Sequence, residues 1–345
     1  MKFIKKLSPI VLALCIVLST LSGCTGKTNA SGENSAVSNT ESAVKIKEKA
    51  TIKVAALKGP TGLGMLKLMN DNDAKTSSQN YEFTIASTPD QIISKVINGE
   101  VDVAAVPTNL AATLYNKTEG KVQLAAVNTL GVLSILTNGE DISSLKDLKG
   151  KTIYSSGKGS TPEYALNYIL EQNGLEVGKD VKVEYKAEHA ELASQLIAGN
   201  IEIAVLPEPF VTQVMTKNKD IKKALDLTDE WNKAAKNKSV LTMGGLIVRK
   251  EFAENNKDAF NSFLDEYKKS AEYTNSNIDS AAKLSEKYGI MPEAVAKKAI
   301  PNCNIVFIDG EEMKEKIPEF LNILYTANNK SVGGKLPGDD FYYKK

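Results

Sequence analysis

The sequence predicts an α/β protein of two similar lobes, each a mostly parallel sheet covered by helices, with two crossing strands as the hinge between them. Three observations predict it. The chain repeats itself one hundred residues on: Lys58-Gly59-Pro60-Thr61 returns as Lys158-Gly159-Ser160-Thr161, and the run Asn98 to Pro107 returns as Ala198 to Pro207. Between 92–107 and 192–207 five of sixteen positions are identical, at Ser94/Ser194, Ile97/Ile197, Gly99/Gly199, Ala104/Ala204 and Pro107/Pro207, where ordinary composition gives roughly one. Each copy reads strand, helix, strand, helix, strand, and crossovers of that length produce parallel sheets.

Each element has its own warrant. The copies open on β-like runs, Ile52 to Leu57 and Thr152 to Ser156. A glycine turn then leads into apolar residues at helical spacing: Leu63, Leu66 and Met69 in one copy, Tyr164, Leu166, Ile169 and Leu170 in the other. Thr61 and Thr161 fit N-cap positions, with Pro162 as a favoured first helical residue. Tyr81 to Ile85 and Val181 to Tyr185 alternate as half-buried strands do. Helices follow over about 89–98 and 190–198, each closed by a glycine, Gly99 or Gly199. The third strands, Val101 to Val106 and Ile201 to Leu206, are apolar enough to be central and parallel.

Leu124 to Leu136 and Leu241 to Val248 are β-rich runs placed to carry the chain between lobes and back. The expected lobes are 50–135 with 245–345, and 136–244. From about Ala253 to Ala327 the pattern is amphipathic helix, with a stripe of Phe260, Phe263, Leu264 and Tyr267 and later starts at Pro292 and Asp309. These helices are expected on the first lobe.

The N-terminus specifies an address. Lys2, Lys5 and Lys6 precede an apolar run from Ile10 to Leu18 that is too short to span a bilayer. It ends in Leu21-Ser22-Gly23-Cys24, a lipobox pattern, so residues 1–23 read as a lipoprotein signal peptide and Cys24 as the acylated (palmitate-type) membrane anchor. Residues 24–49 carry no aromatic side chain and read as a disordered linker. Cys15 leaves with the signal and Cys24 is the anchor, so Cys303 has no partner and no disulfide is expected. Loss of the three signal lysines takes the formal charge from +1 to −2 with acids and lysines interspersed, a pattern with no footprint for nucleic acid.

Ligands of open α/β sheets bind beyond the carboxyl ends of the strands, where helix N-termini present free N–H groups. Those ends are Lys58 to Gly62, Pro107 to Asn109, Ser155 to Thr161 and Pro207 to Phe210. The expected ligand-binding residues are Gly59, Thr61, Gly62, Thr108, Asn109, Ser155, Ser156, Thr161, Glu208 and Phe210, joined by Asn128 and Thr242 from the crossing strands. With these elements the chain resembles a type II periplasmic binding protein over about residues 50–330. The most specific piece is Gly199-Asn200-Ile201-Glu202-Ile203-Ala204-Val205-Leu206-Pro207-Glu208-Pro209-Phe210. It is similar to the acidic-residue strand and Glu-Pro-aromatic turn of the branch that includes alkanesulfonate, taurine, nitrate and thiamine-pyrimidine binders. The resemblance implies a monomeric extracytoplasmic receptor that passes a small molecule to ABC permease subunits, with no cofactor. A surface sensor or adhesion module on the same fold is the other function class.

Ligand chemistry is argued from what the chain lacks and from one acid. Arg249 is its only arginine, just past a crossing strand and away from the expected cleft, so a guanidinium clamp on an anion is disfavoured. Helix N-termini with Lys58 or Lys158 leave a sulfonate- or nitrate-type anion open. Glu208 suits an amine or protonated heterocycle, and equally a cap or turn acid. Tyr154, Tyr164 and Trp231 are further aromatic candidates. Enzyme readings lack parts: His189 is the sole histidine, in what reads as the solvated start of a helix, and no cysteine pair or histidine cluster offers a metal site. The Lys-Gly-Pro-Thr turn lacks P-loop spacing, and the cysteine-rich motif of a thiamine-pyrimidine-synthesising branch of this fold is missing.

Overall fold

A computed structural model describes residues 49–345, and in it the two copies of the repeat build two separate sheets. The stretch read as a signal peptide, Cys24 with its expected acylation, and the expected linker to residue 48 lie outside the described residues. The first copy runs β1 (Thr51–Leu57), α1 (Pro60–Leu63), α2 (Leu66–Asp73), β2 (Asn80–Ala86), α3 (Pro89–Ile97), β3 (Val103–Val106) and α4 (Thr108–Lys117). β4 (Val122–Leu130) and β5 (Leu133–Asn138) carry the chain across. The second copy runs β6 (Thr152–Ser156), α5 (Thr161–Gln172), β7 (Lys182–Lys186), α6 (His189–Ile197), β8 (Ile203–Pro207), α7 (Phe210–Lys217), β9 (Ile221–Asp226) and α8 (Leu227–Ala234). The remainder is β10 (Thr242–Arg249), α9 (Lys250–Asn255), α10 (Lys257–Ser276), α11 (Ile278–Lys287), α12 (Glu293–Ala299), β11 (Ile305–Ile308) and α13 (Gly310–Ala327).

The strand orders are β11-β4-β10-β3-β1-β2 and β7-β6-β8-β5-β9. In each, the three repeat strands pair in parallel, and a strand of the crossing segments joins antiparallel beside the third, β10 on β3 and β5 on β8. The third strands are thus central as expected but parallel on one side only, because the chain returns in the opposite direction. Gly99 and Gly199 close α3 and α6 at φ 73° and 76°, the left-handed conformation that only glycine adopts at little cost. The expected caps move: the helix residues start at Pro60 and Thr161, with Gly59 and Ser160 at the cap positions. Proline sets a helical φ without needing a donor, so the first helix begins one residue before Thr61.

The outward crossing is strand to strand through Gly131-Val132. That link is held from both sides: Asn304 accepts from the Leu130 N–H at 3.0 Å and its amide donates to the Gly131 carbonyl, while the Glu208 N–H donates to the Val132 carbonyl at 3.0 Å. A Cβ on Gly131 would sit 2.3 Å from Thr228 Oγ1. The return crossing corrects the expectation of a second crossing strand, since residues 235–241 make it outside any strand and β10 belongs wholly to the first sheet.

Two further corrections concern the C-terminal part. Ile305–Ile308, within the stretch read as helical, forms the edge strand β11 on β4, as four apolar residues rich in β-branching favour. The Phe260, Phe263, Leu264 and Tyr267 stripe is fully buried in α10 against α2 and β11 of the first sheet, but α13 is shared by both lobes. Its Met313, Ile317, Phe320 and Leu324 join one apolar cluster with Leu124 and Val127 of β4 and with Leu166, Ile169 and Trp231 of the second copy. Trp231 itself is 0 % exposed, 4.8 Å from the Tyr168 ring and 5.8 Å from that of Phe320. It is a core residue, which corrects its reading as a ligand-stacking candidate.

Candidate functional site

β1, β3, β6 and β8 end on one side, and the polar residues there form two clusters. On the first sheet Thr61, Thr108, Asn128, Thr129 and Thr242 are all buried. Asn128 donates through Nδ2 to the Thr61 carbonyl and to the Tyr267 hydroxyl, each at 3.0 Å, and Thr129 Oγ1 donates to its Oδ1 at 3.2 Å. Thr108 and Thr242 share a hydroxyl–hydroxyl bond of 2.9 Å, and Thr242 donates to the Thr129 carbonyl. Gly244 gives these groups room: a Cβ there would lie 2.4 Å from Thr61 Cγ2 and 2.6 Å from Asn128 Oδ1. Gly62 lies against the Leu57 carbonyl, 2.6 Å from where its Cβ would be, and Gly59 turns the chain at φ 100°.

On the second sheet Ser155 and Ser156 end β6, and both are buried. Ser156 Oγ shares a hydrogen bond with His189 Nδ1, and the imidazole lies 5.6 Å from the Phe210 ring. His189 is therefore half-buried, which corrects its reading as solvated. Burial holds the imidazole below its ordinary pKa, against the opposing pull of Glu188. The clusters meet where α4 and α5 begin: Thr161 Oγ1 lies 3.4 Å from Asn109 Oδ1, and Asn109 Nδ2 donates to the Ser331 carbonyl.

The expected residues Thr61, Thr108, Asn128 and Thr242 form the first cluster, and Ser155, Ser156 and Phe210 surround the second. Asn109 and Thr161 join the two. Glu208 stands apart. It is 5 % exposed and accepts the Thr212 N–H at 3.2 Å, capping the first turn of α7. Its carboxyl borders a small cavity of about 80 Å3 at the hinge, with Ser134, Lys223, Asp226, Asn302 and Asn304. Burial raises its pKa more than the Thr212 bonds lower it. Of the two readings of Glu208, the geometry matches the cap.

The sign of that shift sets an expected result. The folded state binds the Glu208 proton more tightly than the unfolded state, so stability falls as pH rises above the ordinary glutamate value of 4.5. Glu208→Gln keeps an acceptor for Thr212 and removes the buried charge. The variant should melt at or above the wild type at pH 7, and the gap should close by pH 4; a clear loss at pH 7 would sink the assignment.

Arg249 lies at the opposite end of β10, where its guanidinium pairs with Asp102 at 2.8 Å and with the Val101 carbonyl. His189, Thr129, Gly244 and Tyr267 were not among the expected site residues. His189 had a signal, because it begins the helix after the second strand of its copy, as Pro89 does in the other. The Gly244-Gly245 pair inside a strand is likewise a mark of close approach.

Two helix-covered mixed sheets, joined through a short link and with polar groups gathered at the strand ends between them, define a two-lobed solute-binding protein. The chain belongs to the ABC-transporter phosphonate periplasmic substrate-binding protein family, whose model matches residues 68–291. It is thus the extracytoplasmic substrate-binding component of an ABC import system, in a family whose members bind small molecules and work with permease subunits. Among solved structures, an ABC transporter protein from Parabacteroides distasonis matches at 23% identity and TM-score 0.72, covering 86% of this chain and 99% of that one. The periplasmic aliphatic sulphonate binding protein SsuA from Escherichia coli matches at 16% identity and TM-score 0.68, over 85% and 92% of the two chains. The periplasmic nitrate-binding protein NrtA from Synechocystis PCC 6803 matches at 16% and 0.53, over 72% and 69%. These likenesses show the fold. No curated protein matches the chain. No helix among the described residues is long and apolar enough to cross a membrane.

Proposed function

We propose that this receptor captures a small oxyanion of the phosphonate and sulfonate class between its lobes, using hydroxyls, amides and helix N-termini in place of a guanidinium. The observation that carries this reading is the meeting of Asn109 and Thr161 at 3.4 Å. These residues occupy the first turns of α4 and α5, helices of 10 and 12 residues, so two helix N-termini face the same place. Thr108, Ser156 and His189 at the neighbouring strand and helix ends are neutral hydrogen-bonding groups. Glu208, the group that favoured an amine, is engaged in capping α7. The family's phosphonate description and the sulphonate-binding neighbour agree with this ligand class. Acylation at Cys24 fits the same role, holding the receptor beside its permease at the outer face of the membrane.

A thermal-shift screen tests the reading. Methylphosphonate or ethanesulfonate at a hundredfold excess over Kd should stabilise the protein by about 2.7 kcal/mol, while aminopyrimidines leave the melting temperature unchanged. Stabilisation by the amines alone would refute it.

A further inference from the structure

A large cavity lies apart from the clustered hydroxyls. It holds about 1230 Å3 between α5 and the end of α13, and its lining includes Lys158 and Gly159 of the repeated turn. Small-molecule sites ordinarily occupy about 300–1,000 Å3, so this groove is far larger than an alkyl phosphonate or sulfonate needs. Asn109 and Thr161 lie outside its lining, with Thr161 two residues on from Gly159. Thr161 and Tyr164 are three residues apart on α5 and share a face, and Tyr164 accepts a hydrogen bond from Asn328 at 3.1 Å on the opposite wall.

The walls have a distinct chemistry. α5 contributes Asn167, Tyr168 and Gln172, and α13 contributes Asn322, Tyr325 and Thr326. Side-chain amides offer donor and acceptor together, the arrangement that neighbouring hydroxyls satisfy, and tyrosine rings add flat apolar faces. One group has an unmet requirement: Asn167 Oδ1 is buried and accepts no hydrogen bond. A buried acceptor without a donor is costly, and turning the Asn167 side chain toward the groove would let a ligand hydroxyl remove that cost.

We infer that the solute is not a bare alkyl oxyanion but carries a hydroxyl-rich portion, a polyol chain or sugar ring, that lies in the groove between α5 and α13 while its oxyanion sits at the Asn109–Thr161 junction. The inference rests on the oxyanion reading for one end of the ligand and on the groove alone for the other.

Titration calorimetry on the full chain separates the two ends. The probes are ethanesulfonate against 6-deoxy-6-sulfoglucose, the corresponding pair of phosphonates, and glucose alone. The glucosyl oxyanions should bind at least tenfold tighter than their ethyl counterparts. Asn167→Ala combined with Asn322→Ala should abolish that advantage and leave ethyl-oxyanion affinity unchanged; neither substitution removes a hydrogen-bonded core group, and the unliganded melting temperature checks the fold. Equal affinities in the wild type, or an advantage that survives in the double variant, overturn the inference while leaving the oxyanion reading intact. Glucose binding that the double variant loses, with no oxyanion binding, supports the groove and sinks the oxyanion reading. Binding of no probe overturns both.

Discussion

Phe320→Ala is expected to destabilise the protein by about 4 kcal/mol, the usual cost of deleting a buried aromatic side chain. Phe320 is 0 % exposed and packs on Trp231, while its helix also lies against β4. The substitution therefore opens a cavity in a core shared by both lobes. At roughly 2.1 cal/mol/K per residue of unfolding entropy, the melting temperature of a chain of this size should fall by about 6 °C. A fall of less than 1 °C would mean that α13 is not a common part of the two cores.

Gly244→Ala is expected to act on the site. The added methyl would lie 2.4 Å from Thr61 Cγ2 and 2.6 Å from Asn128 Oδ1, distances that require one of them to move. Overpacking of this kind costs about 1–3 kcal/mol. Displacing Asn128 also breaks its bonds to the Thr61 carbonyl and the Tyr267 hydroxyl. On the proposed function, affinity for the stabilising oxyanion should fall at least tenfold, since the geometry of the Thr61, Thr108 and Thr242 cluster is lost. Wild-type affinity in the variant would place the ligand elsewhere. Alanine at Gly59, where a Cβ meets nothing within 4 Å, probes the neighbouring turn without such a clash, its only burden being the positive φ.

Much of the fold was legible because it is written locally. Apolar periodicity marked β1, β2, β6 and β7 within a residue or two, and the glycines at 99 and 199 marked where α3 and α6 stop. The repeat supplied what periodicity lacks, a correspondence between distant segments, and so identified the strand ends where a site forms. The errors are equally specific. β11 is four residues long, too short to announce a period, and it is a strand only because β4 offers an edge. α13 has an ordinary amphipathic pattern, and nothing in such a pattern says that its apolar face is divided between two neighbours.

The site divides along the same line. The residue types at the turns, threonines, serines and an asparagine without arginine, were readable one by one. Their roles were not. Glu208 and His189 exchanged parts once folded: the acid turned inward to cap α7, and the histidine, read as solvated, settled against Ser156 and Phe210. Both outcomes depend on burial, and that of His189 also on the distant partners Ser156 and Phe210, and sequence spacing carries no record of either.

The sequence by itself determined a duplicated α/β fold and an arginine-free set of strand-end turns, because composition and local periodicity encode those directly. Only the tertiary structure decided that Asn109 meets Thr161, that Gly244 makes space for Asn128, and that a polar groove runs between α5 and α13. Each is a meeting of side chains distant along the chain, and the packing of helices across the two sheets sets those distances.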